Sequence, residues 1–498
     1  MYISTRSNYN KVTAAEAIKL GMVPTGGLFV PENIPVLSAE KIKNFKDKSY
    51  NDIAQEIFSL YLHDYTQSEI KECVSKAYNT TNFDDVSFTP LVKLNDHTYI
   101  MELWHGPTAA FKDMALQILP HFLSLAIKKT GVENEVVILV ATSGDTGKAA
   151  LEGFKDVPGI RIITFYPYKG VSKIQELQMN TTEGENTYVV GVHGNFDDCQ
   201  TTVKEIFSNE EFKQMLLENG IELSSANSIN WGRLLPQIIY YFASYSELLK
   251  KGDIKEGEKV NFVVPTGNFG NILAGWYAHK MGLPVNKFIC ASNENKVLTD
   301  FFQTGKYDKR REFKKTNSPS MDILVSSNLE RFLYEITDHD GDKINNWMND
   351  LNNQGYFEVD EDTKRKIQQI MYGNFTNEEQ TKNVIKETFE NYKYTLDTHT
   401  AVALKVYDNY IKETKDKSKT IIDSTASPFK FNEAVLEALT NKTRINQSEY
   451  ESLDQLSKIS GLNLHFGLKD LDKKPILHKK VCKKEEIPSI IKDILNIK

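Results

Sequence analysis

The 498-residue chain has little cysteine: Cys73, Cys199, Cys290 and Cys482 stand far apart, with no C-x-x-C pair. That spacing excludes a disulfide framework or a thiolate zinc site and fits reduced thiols, so no metal is expected. Positive charge is not in excess either. Lys and Arg number 60 against 67 Asp and Glu, a formal net charge of -7, which gives no electrostatic reason to expect nucleic acid or an anionic membrane as partner. No uncharged apolar run reaches the ~18 residues of a membrane helix. The opening Met1–Arg6 lacks the basic-then-apolar pattern of a secretory leader, so a soluble, cytoplasmic protein is expected. There is no internal repeat and no low-complexity tract. What remains, 40% apolar, 11% aromatic and 26% charged residues, is enough to bury a large core in a multidomain globular chain.

Texture changes along the chain. Residues 1–85 read as a compact, mostly helical unit, with a turn at Pro24-Thr25-Gly26-Gly27 and a polar linker over Tyr78–Asp85. Residues 86–470 alternate apolar, β-branched runs with helical patterns. The runs Val136–Ala141, Arg161–Tyr166, Asn261–Val264, Lys287–Ala291 and Thr420–Asp423 each end in Gly, Ser, Thr, Asn or Pro. Such runs predict α/β architecture, with parallel sheets covered on both faces and ligands at the carboxyl ends of the strands. A charged helical insertion is expected at about 305–395, with a loop at Asp338–Asp342. Residues 471–498 form a tail with a helix, and the lysines of Lys469–Lys484 suggest a solvated surface segment.

Three stretches carry candidate chemistry. In Gly106-Pro107-Thr108-Ala109-Ala110-Phe111-Lys112-Asp113, a Gly-Pro turn leads to Thr108 as N-cap of a helix expected from Ala109 to about Lys128, with Lys112 in its first turn. A lysine at the positive end of a helix, among apolar neighbours, has its charged form disfavoured and can act as an amine nucleophile. By itself the segment fits an exposed helix lysine better. Thr142-Ser143-Gly144-Asp145-Thr146-Gly147-Lys148 follows a strand and opens a helix, where N–H groups and hydroxyls converge on an anion. It is not a P-loop, because Thr142 occupies the position of the required first glycine and Ala149 that of the hydroxyl after the lysine. Gly267-Asn268-Phe269-Gly270-Asn271 repeats the strand–loop–helix logic. Its glycines let backbone approach a phosphate and its Asn tolerates left-handed geometry, although tight turns use the same residues structurally. Near the end, Ser424-Thr425 closes another strand with hydroxyls that could bond a cofactor nitrogen or cap a helix.

Taken together, these motifs resemble the threonine synthase family, within the fold type II (tryptophan synthase β-like) pyridoxal-phosphate enzymes. The resemblance runs from Tyr2-Ile3-Ser4-Thr5-Arg6 and Gly26–Pro31 through His105–Asp113, Thr142–Gly147, Gly194–Gln200, Asn227–Trp231, Gly267–Asn271 and Ser318–Ile323 to Ser424–Ala426. The combination with an N-terminal domain matches the longer form found in fungi and many bacteria. The resemblance implies pyridoxal 5'-phosphate bound as a Schiff base on Lys112, its phosphate held by Gly267, Asn268, Phe269, Gly270 and Asn271, and its pyridine nitrogen facing Thr425. It further implies that Thr142, Ser143, Gly144, Asp145 and Thr146 bind O-phospho-L-homoserine, which is converted to L-threonine and phosphate by a monomer or homodimer. Arg6, Lys148, Arg233 and Lys430 are candidates to clamp the substrate phosphate. Two departures stand out: Thr25 occupies a position that is usually Asp, and Ser427 one that is often His. The rival readings are another fold type II lyase, such as a dehydratase, sulfhydrylase or phospho-lyase, and a catalytically silent binding protein.

Overall fold

The apolar runs become two parallel sheets. The computed structural model describes residues 1–131, 134–142, 144–442 and 448–497. Glu135–Ala141, Ile160–Pro167, Val260–Pro265, Val285–Ser292 and Thr420–Ser424 are all strands, each slightly longer than its apolar run. Their side chains are buried on both faces, as Val137, Ile138, Leu139 and Val140 illustrate, which is why alternation is absent from the sequence. One sheet has the order Met371–Phe375, Val285–Ser292, Val260–Pro265, Thr420–Ser424, Thr98–Glu102, Leu91–Lys93, with only the last strand antiparallel. The other, fully parallel, has the order Lys480–Lys483, Thr187–His193, Ile160–Pro167, Glu135–Ala141, Ile221–Ser224.

This topology decides where chemistry can occur. Thr98–Glu102, Thr420–Ser424 and Val260–Pro265 are consecutive parallel neighbours, so the loops holding Lys112, Thr425 and Gly267–Asn271 leave the same edge of one sheet. The Thr142–Thr146 loop comes from the other sheet, after Glu135–Ala141.

Residues 1–77 pair Tyr2–Ser4 with Phe29–Pro31 and add helices Ala14–Leu20, Ala39–Asn44, Tyr50–Tyr61 and Gln67–Ala77. Ser49 with Asp52, and Thr66 with Glu69, form capping boxes that start the last two. The unit shares its core with the rest of the chain: Tyr2 packs on Trp231, and Phe58 on Phe122. The segment expected as a linker is packed too, because Tyr78 and Phe83 are buried and the Tyr78 hydroxyl donates to the Met114 carbonyl at 2.6 Å. Residues 305–395 hold four α-helices, but also the edge strand Met371–Phe375 of the first sheet. The loop expected at Asp338–Asp342 is shorter, with Asp338 and His339 left-handed and helix already under way at Gly341. The lysine-rich tail is exposed over most of its length, yet Lys480–Lys483 extends the second sheet, and Ile487–Leu495 buries Ile487 and Ile491 beneath it. No helix of the described residues is long and apolar enough to cross a membrane.

Candidate active site

The segment around Lys112 does not fold as one long helix. Thr108 is no N-cap: its N–H and hydroxyl both donate to the Asp113 carboxylate, at 2.8 and 2.7 Å. Ala109 adopts a left-handed φ of 59°, Ala110 bridges to Ala426, and the Phe111 N–H donates to the Thr425 carbonyl at 2.9 Å. Helix begins only at Asp113–Leu116 and resumes at Leu119–Lys129. The long-range bridge to Thr425 and Ala426 competes successfully with local helix formation, and it brings Lys112 beside Thr425.

The Lys112 side chain is largely buried, with 12% of its surface exposed, and desolvation pushes its ammonium down to about 8. Asp145 opposes that shift, while Lys430 and Arg233 add to it. The Asp145 carboxylate lies 3.8 Å from the Lys112 Nζ and 3.3 Å from the Lys430 Nζ. Burial alone would favour a neutral carboxyl there, but the two lysines and the Gln175 amide, which donates to Oδ1 at 2.9 Å, hold Asp145 well below the usual carboxylate range. Ser320 donates to its other oxygen at 3.4 Å. The Ser320 N–H in turn donates to His399 Nε2 at 3.1 Å, so Nδ1 of a neutral His399 carries the proton and donates to Asp397 at 3.1 Å.

The four candidate cations separate cleanly. Lys430 and Arg233 are buried near Lys112. Lys430 donates to the Thr108 carbonyl at 2.6 Å, and Ser427 places it by capping the turn Pro428–Phe431 with its hydroxyl. Arg233 donates to the Ala226 carbonyl, and its Nε has no partner among the described residues; burial pushes its guanidinium down to about 10. Arg6 and Lys148 are spent elsewhere, in a two-bond pair with Glu330 and an ion pair with Glu152.

The two loops differ. Thr142 accepts hydrogen bonds from Gly144 N–H at 2.9 Å and Gly147 N–H at 2.8 Å, so its side chain builds the turn. Ser143 lies outside the described residues. Thr146 is half-buried. In the second loop the left-handed residue is Phe269, at φ 64°, and not a glycine or Asn268; its buried ring packs against Phe302 and Phe332 and holds that conformation. Helix Gly270–Lys280 follows directly. Among the described residues, the N–H groups of Gly267, Asn268, Phe269, Gly270 and Asn271 find no acceptor. A Cβ on Gly270 would meet nothing nearer than 3.5 Å, whereas one on Gly267 would strike the Ser320 carbonyl oxygen at 2.4 Å.

These residues fit a phosphate-bearing aldehyde cofactor. Unpaired N–H groups at the start of a helix suit its phosphate, packing does not require glycine at 270, and a buried amine with a depressed pKa stands ready for the aldehyde. Sequence reasoning missed Gln175, Ser320, His399 and Asp397. The Gln175 signal was a Ser172-x-x-Gln175 capping box, whose second use, on Asp145, is purely spatial.

Comparison with known proteins agrees in every segment. Residues 1–78 match the family model for the threonine synthase N terminus, 83–422 that for pyridoxal-phosphate dependent enzymes, and 400–463 that for the threonine synthase C-terminal region. Threonine synthase from Schizosaccharomyces pombe is 38% identical over 474 residues, 89% of this chain and 90% of that one. Threonine synthase-like 1 of Macaca fascicularis is 41% identical over 487 residues, covering 94% of this chain but 64% of the relative. The chain thus spans slightly less than two thirds of the length of that relative. A crystal structure of PLP-bound threonine synthase from Brucella melitensis superposes with a TM-score of 0.86 at 31% identity, covering 99% of both chains. The architecture is the expected fold type II one with its added N-terminal domain.

Proposed function

This chain belongs to the threonine synthase family of pyridoxal-phosphate-dependent enzymes, and we propose that it converts O-phospho-L-homoserine and water to L-threonine and phosphate in the cytoplasm, as a monomer or homodimer. The observation that carries this reading is the setting of Lys112: a largely buried amine pushed to about 8, 3.8 Å from the Asp145 carboxylate of one helix-opening loop and flanked by the buried cations Lys430 and Arg233. The reaction breaks a Cβ–H bond and the bond from Cγ to the phosphate oxygen, forms a bond from Cβ to the hydroxyl oxygen of water, and puts a proton on Cγ, so that water supplies the net OH and H.

Gly267–Asn271 would hold the cofactor phosphate through their N–H groups, and Thr425 would face the pyridine nitrogen with an uncharged hydroxyl. Bound there, the cofactor supplies an electron sink for the charge that develops at the substrate Cα. Lys112 does the proton work. As a neutral amine it would hold the aldehyde cofactor, and as a free amine beside the substrate it would take the Cα proton and could pass it on. Its depressed pKa keeps a useful fraction unprotonated near neutrality. Asp145 prevents that depression from going further and balances Lys430. The Thr142–Thr146 loop, Ser143 included, offers donors to a substrate anion, and Lys430 and Arg233 supply positive charge for the departing phosphate.

The purified protein is tested with O-phospho-L-homoserine for phosphate, threonine and 2-oxobutyrate together. Phosphate and threonine in equal amounts are expected. Phosphate with 2-oxobutyrate alone makes the protein another fold type II lyase, and no turnover at all makes it a binding protein. Borohydride reduction with peptide mapping is expected to place a pyridoxyl adduct on Lys112, and its absence there overturns the assignment of that residue.

A further inference from the structure

The strand that delivers Thr425 also carries a carboxyl group that none of these steps uses. Asp423 is fully buried. The groups that set its ionisation are Tyr241 and the Asn271 amide, and no lysine, arginine or histidine is among them. Tyr240, on the same helix Gln237–Lys251 as Tyr241, also feels its charge. Its Oδ2 lies 3.1 Å from the Tyr241 hydroxyl, and its Oδ1 has no partner among the described residues. The same Tyr241 hydroxyl lies 2.7 Å from Asn271 Oδ1, which the Tyr240 hydroxyl also approaches at 2.5 Å.

Counting protons decides among the possible arrangements. Each phenol has one proton, and burial pushes both well above the ordinary tyrosine value, so both remain neutral. If Asp423 were ionised, the Tyr241 proton would go to the carboxylate, leaving two bare oxygens 2.7 Å apart between Tyr241 and Asn271. Turning the Asn271 amide over repairs that contact, but puts its oxygen in the unpartnered position that Nδ2 now holds beside the carboxyl. A proton on Asp423 lets Asp423 donate to Tyr241 while Tyr241 and Tyr240 both donate to Asn271 Oδ1, so the two closest contacts, 2.7 and 2.5 Å, and the carboxyl contact each carry one proton. Only the longer approaches of Tyr241 to the Asn271 carbonyl, 3.0 Å, and of Tyr240 to Gln237 Oε1, 3.1 Å, go without. A carboxylate buried without a cation is costly, and burial pushes the Asp423 carboxyl up to about 8.

We propose that Asp423 is a protonated, neutral carboxylic acid that positions Asn271, through Tyr241, in the first turn of the helix beneath the cofactor phosphate. The positioning half rests on the reading of Gly267–Asn271 as the phosphate cradle; the protonation half does not. Asn271 opens that helix, and its side chain is tied to Tyr240 and Tyr241 from below, so this network sets the height and tilt of the N–H groups above it. Asp423 is a positioning residue and touches no reacting atom.

The test compares Asp423→Asn, which keeps the shape and a donor, with Asp423→Leu and Tyr241→Phe, which break the relay. Apoproteins are titrated with pyridoxal phosphate by absorbance, and infrared difference spectra of wild type against Asp423→Asn are recorded at neutral pH. Asp423→Asn is expected to bind within about twofold of wild type, and both relay-breaking variants about tenfold or more weakly, tenfold being about 1.4 kcal/mol. The difference spectrum is expected to show the C=O band of a protonated acid. A missing band, or an Asp423→Asn variant as weak as Asp423→Leu, overturns the proposal. Wild-type affinity in Tyr241→Phe overturns the positioning half, and that variant decides if Asp423→Leu does not fold. A wild type that binds no pyridoxal phosphate sinks the proposed function instead, and leaves the infrared result standing on its own.

Discussion

Two loops carry a strand into a helix beside Lys112, one from each sheet. The Thr142–Thr146 loop closes on itself: the Thr142 hydroxyl takes the N–H groups of Gly144 and Gly147, Gly144 holds a φ of 129°, and the Asp145 carboxylate sits between two lysines. The Gly267–Asn271 loop contains no charged residue and is braced from outside, by Ser326 donating to the Gly267 carbonyl at 2.7 Å and Asn328 to the Asn268 carbonyl at 3.0 Å. Its carbonyls are engaged, while its N–H groups find no acceptor among the described residues. The same strand–glycine–helix pattern therefore yields one loop tuned by a charge relay and another suited to a permanently bound dianion. The position of the charged side chain, more than the number of glycines, separates them.

The largest effect tests what the two loops share. Lys112→Ala is expected to lower turnover by about a thousandfold or more, since the proposed mechanism uses Lys112 as both nucleophile and base, and to abolish the borohydride-fixed adduct. Burial depresses the Lys112 pKa, so the unfolded chain binds more protons there than the folded one above about pH 8. The Lys112 contribution to apoprotein stability therefore rises with pH from about 8 toward the ordinary lysine value, and urea titrations of Lys112→Ala should lack that rise.

A pair of glycine substitutions separates the loops next. A Cβ on Gly144 would strike Gln175 at 2.4 Å from a left-handed backbone, so Gly144→Ala is expected to destabilise the apoprotein by about 1–3 kcal/mol in urea unfolding. Gly270→Ala, with room for its methyl, should leave that midpoint in place and weaken pyridoxal phosphate binding about tenfold, worth ~1.4 kcal/mol. The opposite pattern would break the comparison.

Asp145→Asn probes the relay. Asp145 raises the Lys112 pKa, so its neutralisation is expected to move the pH midpoint of Lys112 labelling in the apoprotein to lower pH, while the same measurement on Asn268→Ala stays put. Thr142→Val, which removes the acceptor of two N–H groups, is the mildest: about 1 kcal/mol of stability by denaturant midpoint.

Much of this was legible in the residues. Runs such as Val136–Ala141 are apolar without alternation because both faces are buried, and no local competitor disputes them. The helix over Ala109–Lys128 was misread because its rivals are distant: Thr425 and Ala426, more than three hundred residues on, take the hydrogen bonds that a helix would have used. Phe269 could not be read as left-handed, since only the burial of its ring against Phe302 and Phe332 stabilises that geometry. Arg6, Lys148, Arg233 and Lys430 are equivalent in a sequence, where a cation has no visible partner.

The sequence by itself determined the sheet-forming runs and the loops at their ends, and it singled out the candidate amine, because periodicity, turn chemistry and a long chain of motifs are local properties. The tertiary structure decided the chemistry of that amine. Depression of the Lys112 pKa requires desolvation and two cations from remote segments, and a carboxylate from the other sheet limits it. Low dielectric surroundings and short charge separations exist only once those segments have met.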